Sequence, residues 1–517
     1  MATAAAVEPG AHTRHTVRES GVVARQSERR MQAGVMGMRP RPLARPVEET
    51  VTSDLTGQEL VDAMSRTHLL LAHLGVVGEI DDAAAWLSTR GMHLQIGSAA
   101  CRSEFAQAAA STAVTLARRA SLRVSVALED PHAIMHVGPL RATEISNALT
   151  LLGAEMTAPS TDAIIVSIGD VAAFGRLGNP GMQITWDGWV AAVRQSGRRL
   201  GERPGCILAA IAAGALAVSE VFQHHLGNVD ALWRDVTVSL WEPLSSEPER
   251  AVGPTLTRLP DNWMLVGLGH LGQAHAWCIG HLPYREGTGE VWLVDDDVVS
   301  LANVSTGILT EPIDVSSPQT QKTRLVSKVL ESLGRPTRML EYRLPSSYRW
   351  TPGHPDVALV GVDNVELRRS LSAIGWPLCV DVGLGSTRSS FSAISLHAFP
   401  GSQSSSEIAS WHVGRRAVNE ANLAPAFVAL GIKSGDQCGV IMLAGQAVAA
   451  AFVGTVAACL AVTEPLRRLH GASGVEALGV SLDLLRPRGA NANGHSRVRL
   501  GSVGVQDRLH ELGNARS

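Results

Sequence analysis

Residues 263–272 read Trp-Met-Leu-Val-Gly-Leu-Gly-His-Leu-Gly, an apolar run entering Gly267-x-Gly269-x-x-Gly272. Such a run suits a strand buried on both faces. Glycines at these intervals permit a tight turn and let backbone amides at a helix start approach phosphate. Glu290 to Val294 supplies a second strand, and Asp295 stands 23 positions after Gly272 at its end. There a carboxylate can bind ribose hydroxyls. The pattern predicts a nucleotide crevice without naming a reaction, because nicotinamide-dependent dehydrogenases share it.

Working outward, Val357–Val362 and Pro377–Val382 read as further strands, and Val440–Arg468 as a long closing helix. The same order precedes them. Met92–Ile96, Leu122–Leu128, Ala163–Gly169 and Met182–Trp186 are short apolar runs, with a helix from Glu104 and another over Cys206–Phe222. Apolar runs alternating with helical patterns predict an α/β fold with parallel sheets. The expectation is two Rossmann-like, doubly wound parallel-sheet domains, the first a degenerate copy of the second. Expected boundaries are a disordered Arg-rich tail over 1–55, a degenerate domain over 56–245, a linker over 246–259, a complete domain over 260–490 and a tail over 491–517. The N-terminal stretch mixes arginines with Ala, Gly, Glu and Pro and has little apolar periodicity to bury.

Composition narrows the function. The chain has 517 residues, 45 basic and 48 acidic side chains and a net charge of −3, so no global field draws it to nucleic acid or anionic lipid. Six cysteines with no C-x-x-C pair exclude a zinc ribbon and a disulfide scaffold, and they suit a reducing, cytoplasmic setting. Val440–Val462 is long enough to span a bilayer, but its Ala, Gly and Val with Gln446 and Thr455 read as a core helix. Lysine occurs only at Lys322, Lys328 and Lys433, which makes each position informative.

Three further stretches separate this crevice from a hydride-transfer site: Val294-Asp295-Asp296-Asp297-Val298-Val299-Ser300-Leu301-Ala302-Asn303, then Gln321-Lys322, then Gly361-Val362-Asp363-Asn364. Together with the glycine turn they resemble the ThiF/MoeB/ubiquitin-activating superfamily, well over 260–400 and loosely over 440–470. The resemblance implies a ThiF-type adenylation domain that uses ATP and Mg²⁺ to activate the C-terminal carboxylate of a ubiquitin-like, sulfur-carrier or ribosomal peptide. It also implies that the first copy acts as an inactive partner half, an internal pseudo-dimer, with a homodimer as the other arrangement.

The residues carry their own reading. Attack of a carboxylate on the α-phosphate of ATP joins two anions, so positive charge must meet the transition state, and Lys322 is the natural donor. Asp363, after an apolar strand, could hold Mg²⁺ through oxygen, or else cap a helix from Val365. Asn303 can hydrogen-bond phosphate oxygens, and Asp297 is an adenosine-side candidate; Asp295–Asp297 could also form a plain solvated turn. Where the family pattern has an arginine three residues after its asparagine, this chain has Thr306, with Arg324 a candidate replacement. For a thioester step, Cys438 lies in a polar glycine-rich loop near Lys433, whereas Cys379 and Cys459 fall in apolar segments. Two other functions fit the sequence: a catalytically inactive peptide-binding module serving a partner enzyme, and a nicotinamide-dependent oxidoreductase.

Overall fold

One strand order occurs twice. In the computed structural model, residues 57–171, 181–195, 197–316, 320–412, 423–492 and 499–506 are described. The stretch expected as an N-terminal tail lies outside them. The first half contains α1 (Gly57–Ala63), α2 (Arg66–Leu74), α3 (Asp82–Ser88), β1 (Gly91–Ile96), α4 (Ser98–Cys101), α5 (Glu104–Arg119), β2 (Arg123–Leu128) and α6 (Ile145–Leu151). It continues through β3 (Ile164–Ile168), β4 (Met182–Asp187), β5 (Val190–Gln195), α7 (Ile207–His225) and β6 (Val236–Ser239). The second half opens with β7 (Arg258–Pro260), β8 (Asn262–Val266), α8 (His270–His281), β9 (Glu290–Val294), α9 (Leu301–Thr306), α10 (Pro312–Ser316), α11 (Lys322–Ser332) and β10 (Thr337–Leu340). After these come β11 (Val357–Val360), α12 (Val365–Ile374), β12 (Leu378–Leu384), β13 (Ala393–Phe399), α13 (Pro425–Ser434), α14 (Gln437–Ala444), α15 (Ala451–Leu469), β14 (Val475–Ser481), β15 (Arg488–Asn491) and β16 (Ser502–Gly504).

The first sheet runs β2-β1-β3-β4-β5-β6 and the second β10-β9-β8-β11-β12-β13-β14-β15. Without β10 and β15 the two orders coincide strand for strand. Both change from parallel to antiparallel at the same place, between β4 and β5 and between β12 and β13. This is the expected pair of Rossmann-like sheets, each carrying an antiparallel extension that the sequence reading omitted. Helices α5, α7, α8 and α15 pack on one another between the sheets, with Phe222 and Phe452 in ring contact at 5.4 Å.

Burial follows the period of two in a strand. Trp263 and Leu265 of β8 enter the large core shared by both halves, while Met264 and Val266 enter a smaller core on the other face with Trp292, Leu371 and Trp376. The second sheet is therefore apolar on both faces. The first is not: β1 sends Met92, Leu94 and Ile96 into the core but turns His93 toward Ser125, at 2.7 Å.

Three expectations need correction. The closing helix is not continuous over 440–468; α14 ends at Ala444 and α15 starts at Ala451. The Val448 amide is tied to the Ser386 carbonyl at 3.2 Å, which diverts the chain between them. The apolar run over 440–462 thus forms no single span. Among the described residues only α7 is long and apolar enough to cross a membrane, and 94% of it is buried inside the fold. The segment read as a linker is fastened to the first half: Trp189 donates through its amide to Val252 and through Nε1 to Pro254, at 2.8 and 2.6 Å. Lastly, residues beyond 491 include β16, which pairs with β7.

Candidate functional site

The glycine turn connects β8 to α8. Gly267 has φ +84°, a left-handed conformation that side chains disfavour. A Cβ at Gly272 would lie 1.9 Å from the Gly267 carbonyl oxygen, so only glycine lets the helix close over the turn. Gly269 is the N-cap of α8, and no side chain caps that helix. Its first-turn amides are the ordinary donors for an anion at a helix start.

Asp295 follows β9 and reaches back to this turn. Its Oδ2 accepts the Leu268 amide at 2.6 Å and its Oδ1 the Asp297 amide at 2.8 Å. Burial raises its pKa, and the nearby Lys322 ammonium opposes that rise. Lys322 is the first residue of α11, with its ammonium 2.7 Å from Asp297 and 4.0 Å from Asp295. Its side chain is only 11% exposed. The three consecutive acids bring one oxygen each within 4.8 Å of one another. They are committed, however: Asp295 to backbone amides, Asp296 to Arg343 at 3.5 Å and Asp297 to Lys322.

Asp363 lies in the loop after β11. The loop after β11 packs against the glycine turn: a Cβ at Gly267 would meet the Gly361 carbonyl at 3.1 Å and Val362 at 2.8 Å. Asp363 does not cap α12. Asn364 does, its side chain accepting the Leu367 amide at 3.1 Å. The exposed Asp363 carboxylate makes no hydrogen bond or ion pair with another described residue, and it is therefore available to a hard cation, which prefers carboxylate oxygen. Asn303 sits at the third position of α9, where its Oδ1 accepts the Ser300 amide at 2.9 Å. That capping bond engages the oxygen of its side-chain amide.

Thr306 closes α9, buried, and donates to the Ala302 carbonyl at 3.2 Å. Arg324 does not replace the missing arginine inside the crevice; it is exposed and forked onto Glu341 at 2.8 and 3.1 Å. A different arginine comes to this helix from the first half. The Arg66 amide donates to Ser305 at 3.1 Å across 239 positions of sequence, and its Nη1 is buried without a hydrogen-bond partner. Burial lowers its pKa, with Asp62 acting the other way. Arg119 also crosses over, to the Ile308 carbonyl at 3.4 Å and Glu311 at 2.7 Å. Sequence reading missed Arg66, since no local pattern reports such a distant contact.

Cys438 is exposed at the start of α14, whose N-cap Asp436 accepts the Gly439 amide at 2.9 Å. Lys433 is not its partner, because that ammonium is held by Asp81 at 3.0 Å and Glu79 at 4.0 Å. Cys379 and Cys459 are buried, and burial raises both thiols. The first half keeps a trace of the same crevice. Glu129, after β2, accepts the Ser98 amide at 2.9 Å, as Asp295 accepts Leu268. There the backbone after β3 comes close: a Cβ at Gly97 would lie 2.0 Å from the Asp170 carbonyl oxygen, and the Asp170 carboxylate is paired with Arg199.

Family comparisons match both halves. Residues 91–240 match the BilD N-terminal domain and residues 259–472 the BilD C-terminal domain. The chain is 37% identical over 319 residues to the bacterial E1-like protein BilD of Collimonas sp. (strain OK412), covering 59% of this chain and 66% of that protein. It thus spans just under two thirds of the relative's length. Among solved structures, E. coli MccB is similar with a TM-score of 0.31 and 12% identity, over 60% of this chain and 92% of that one. E. coli MccB with ATP gives 0.30 and 11%, over 60% and 95%. The two BilD domain matches thus fall one in each half of the chain.

Proposed function

We propose that this chain adenylates the C-terminal carboxylate of a ubiquitin-like protein or peptide at the crevice of its second half. The observation that carries this reading is the convergence of the Lys322 ammonium, through Asp295, on the uncapped glycine turn. In the proposed reaction a substrate carboxylate oxygen attacks the α-phosphorus of ATP, the bond to the β-phosphate bridging oxygen breaks, and pyrophosphate leaves. The attacking carboxylate is already ionised at neutral pH, so no base is needed. Gly267, Gly269 and Gly272 admit the phosphates, Asp295 accepts the ribose hydroxyls and Asn303 donates to phosphate oxygen. Lys322 exchanges Asp297 for the α-phosphate and stabilises charge there. Asp363 would hold Mg²⁺, which when bound neutralises phosphate charge.

The relation to an E1-like protein supports this reading over the inactive-module and oxidoreductase alternatives. Peptide-dependent exchange of labelled pyrophosphate into ATP by the full chain tests it, and no exchange with any ubiquitin-like or peptide substrate would remove it. We assign Arg66 to the outer phosphates in place of the arginine absent at Thr306. Arg66→Ala should raise the KM for ATP about tenfold, the loss of one charge-assisted contact, and leave the KM for peptide unchanged in the exchange assay. Cys438 is the proposed acceptor of the acyl group from AMP, as the exposed thiol at a helix start. Cys438→Ala should keep pyrophosphate exchange and lose any thiol-labile adduct with the substrate on non-reducing gels.

A further inference from the structure

Within the glycine turn, one residue carries a side chain that a phosphate turn does not require: His270, the first residue of α8. Its backbone amide is one of the uncapped donors at the crevice, while its imidazole points the other way, into α15. Burial lowers its pKa to about 4, so the ring is neutral at working pH, and the Ala451 carbonyl beside the ring opposes that fall. Its Nε2 is buried without a hydrogen-bond partner. The same carbonyl accepts the Thr455 hydroxyl at 3.0 Å. One turn further along α15 stands Gly454, where a Cβ would lie 2.2 Å from Nε2 and 2.5 Å from Cδ2. No side chain larger than hydrogen fits there while His270 is in place. Glycine inside a helix costs about 1 kcal/mol relative to alanine, so its presence there needs a packing reason.

We propose that His270 is a positioning residue for the phosphate turn, held in a notch that Gly454 leaves in the first turn of α15. Gly269 beside it has open space around its Cα and no side chain to anchor it. The imidazole supplies the anchor: it fixes the first turn of α8 against a helix that packs along it, so the amides hold their direction before ATP arrives. Preorganised donors do not spend binding energy on being ordered. The orphaned Nε2 is the cost of pressing the ring into a notch lined by helix backbone. This inference rests on the adenylation reading for the identity of the anion, and its test is separable from that reading.

The test is the affinity of the full chain for ATP–Mg²⁺ by calorimetry, with thermal melting as the folding control. Gly454→Ala should weaken ATP by about tenfold, or 1.4 kcal/mol, because the new methyl displaces the ring. The double variant His270→Gly with Gly454→Ala should regain melting temperature, since the clash is gone, but not ATP affinity, since the anchor is gone as well. His270→Asn keeps a donor near the Nδ1 position and should bind ATP within about twofold of wild type, whereas His270→Leu, with similar volume and no donor, should lose about tenfold. Should Gly454→Ala not fold, the Asn and Leu variants decide. Wild-type affinity in Gly454→Ala, or equal affinity in the Asn and Leu variants, overturns the proposal. A wild-type chain that binds no ATP overturns the adenylation reading itself, while a wild-type chain that binds and variants that do not differ overturn only the role of His270.

Discussion

Lys322→Met should lower peptide-dependent pyrophosphate exchange by about 10² to 10³, the range for removing one preorganised donor from a developing oxyanion. The methionine keeps the unbranched stem at the start of α11 and deletes the ammonium. What the ammonium leaves behind in the free protein differs between its partners: Asp297, at 2.7 Å, has a side chain 57% exposed and passes to water, whereas buried Asp295, at 4.0 Å, loses the cation that opposes its desolvation. The melting temperature should therefore fall somewhat, but far less than the collapse in exchange would need. Asp363→Asn should give the same separation, since that carboxylate is exposed and has no partner among the described residues to lose. Its loss of exchange should be partly recovered at raised Mg²⁺ concentration if the role is to bind the cation, because one ligand oxygen remains. Exchange at wild-type rates in Lys322→Met would end the case for adenylation at this crevice. A melting temperature that falls with the rate would instead mean that both residues are structural.

Much of this site was legible because it depends on local pattern. The glycine turn between a strand and a helix and the acid at the end of β9 are each set by a few neighbouring residues, and each falls where the spacing implies. Other features depend on contacts that no window of sequence holds. Arg66 meets Ser305 only because two halves fold onto each other, and Lys433 faces Asp81 rather than Cys438 for the same reason. The choice between Asp363 and Asn364 as helix cap is a matter of one residue in register, which composition cannot decide. The antiparallel strands β5, β6, β13 and β14 were missed because the sequence reading took apolar runs as parallel, although β13, buried in alternation, carried a period-two pattern that could have shown it. The break before α15 was hidden by an unbroken apolar run, since the cause is a backbone bond from Val448 to a distant loop. What sequence conveyed least was how the degenerate half serves the other.

Glu464→Ala should destabilise the chain by about 3–5 kcal/mol, as expected when one member of a buried ion cluster is deleted. Glu464 lies near the end of α15 with a side chain 1% exposed. It accepts Arg467, Arg468 at 2.7 Å and the Val475 amide at 2.9 Å. Arg467 in turn donates to the Trp241 carbonyl at 2.7 Å, and Trp241 packs on Trp189 in the first half at 5.3 Å. The carboxylate thus holds the guanidinium that joins the closing helix of one half to the end of the other. Alanine would leave two guanidinium groups, each with a side chain 4–6% exposed, without their countercharge. Glu464→Gln keeps the shape and one acceptor, and so should lose less in a denaturant titration of the full chain. Glu464→Leu combined with Arg467→Met should recover part of the loss, because an apolar pair needs no desolvation of charge. If the halves cooperate through this cluster, Glu464→Ala should also split a single unfolding transition into two. A stability within 1 kcal/mol of wild type would mean that the seam is held by the apolar packing of α7 on α15 alone.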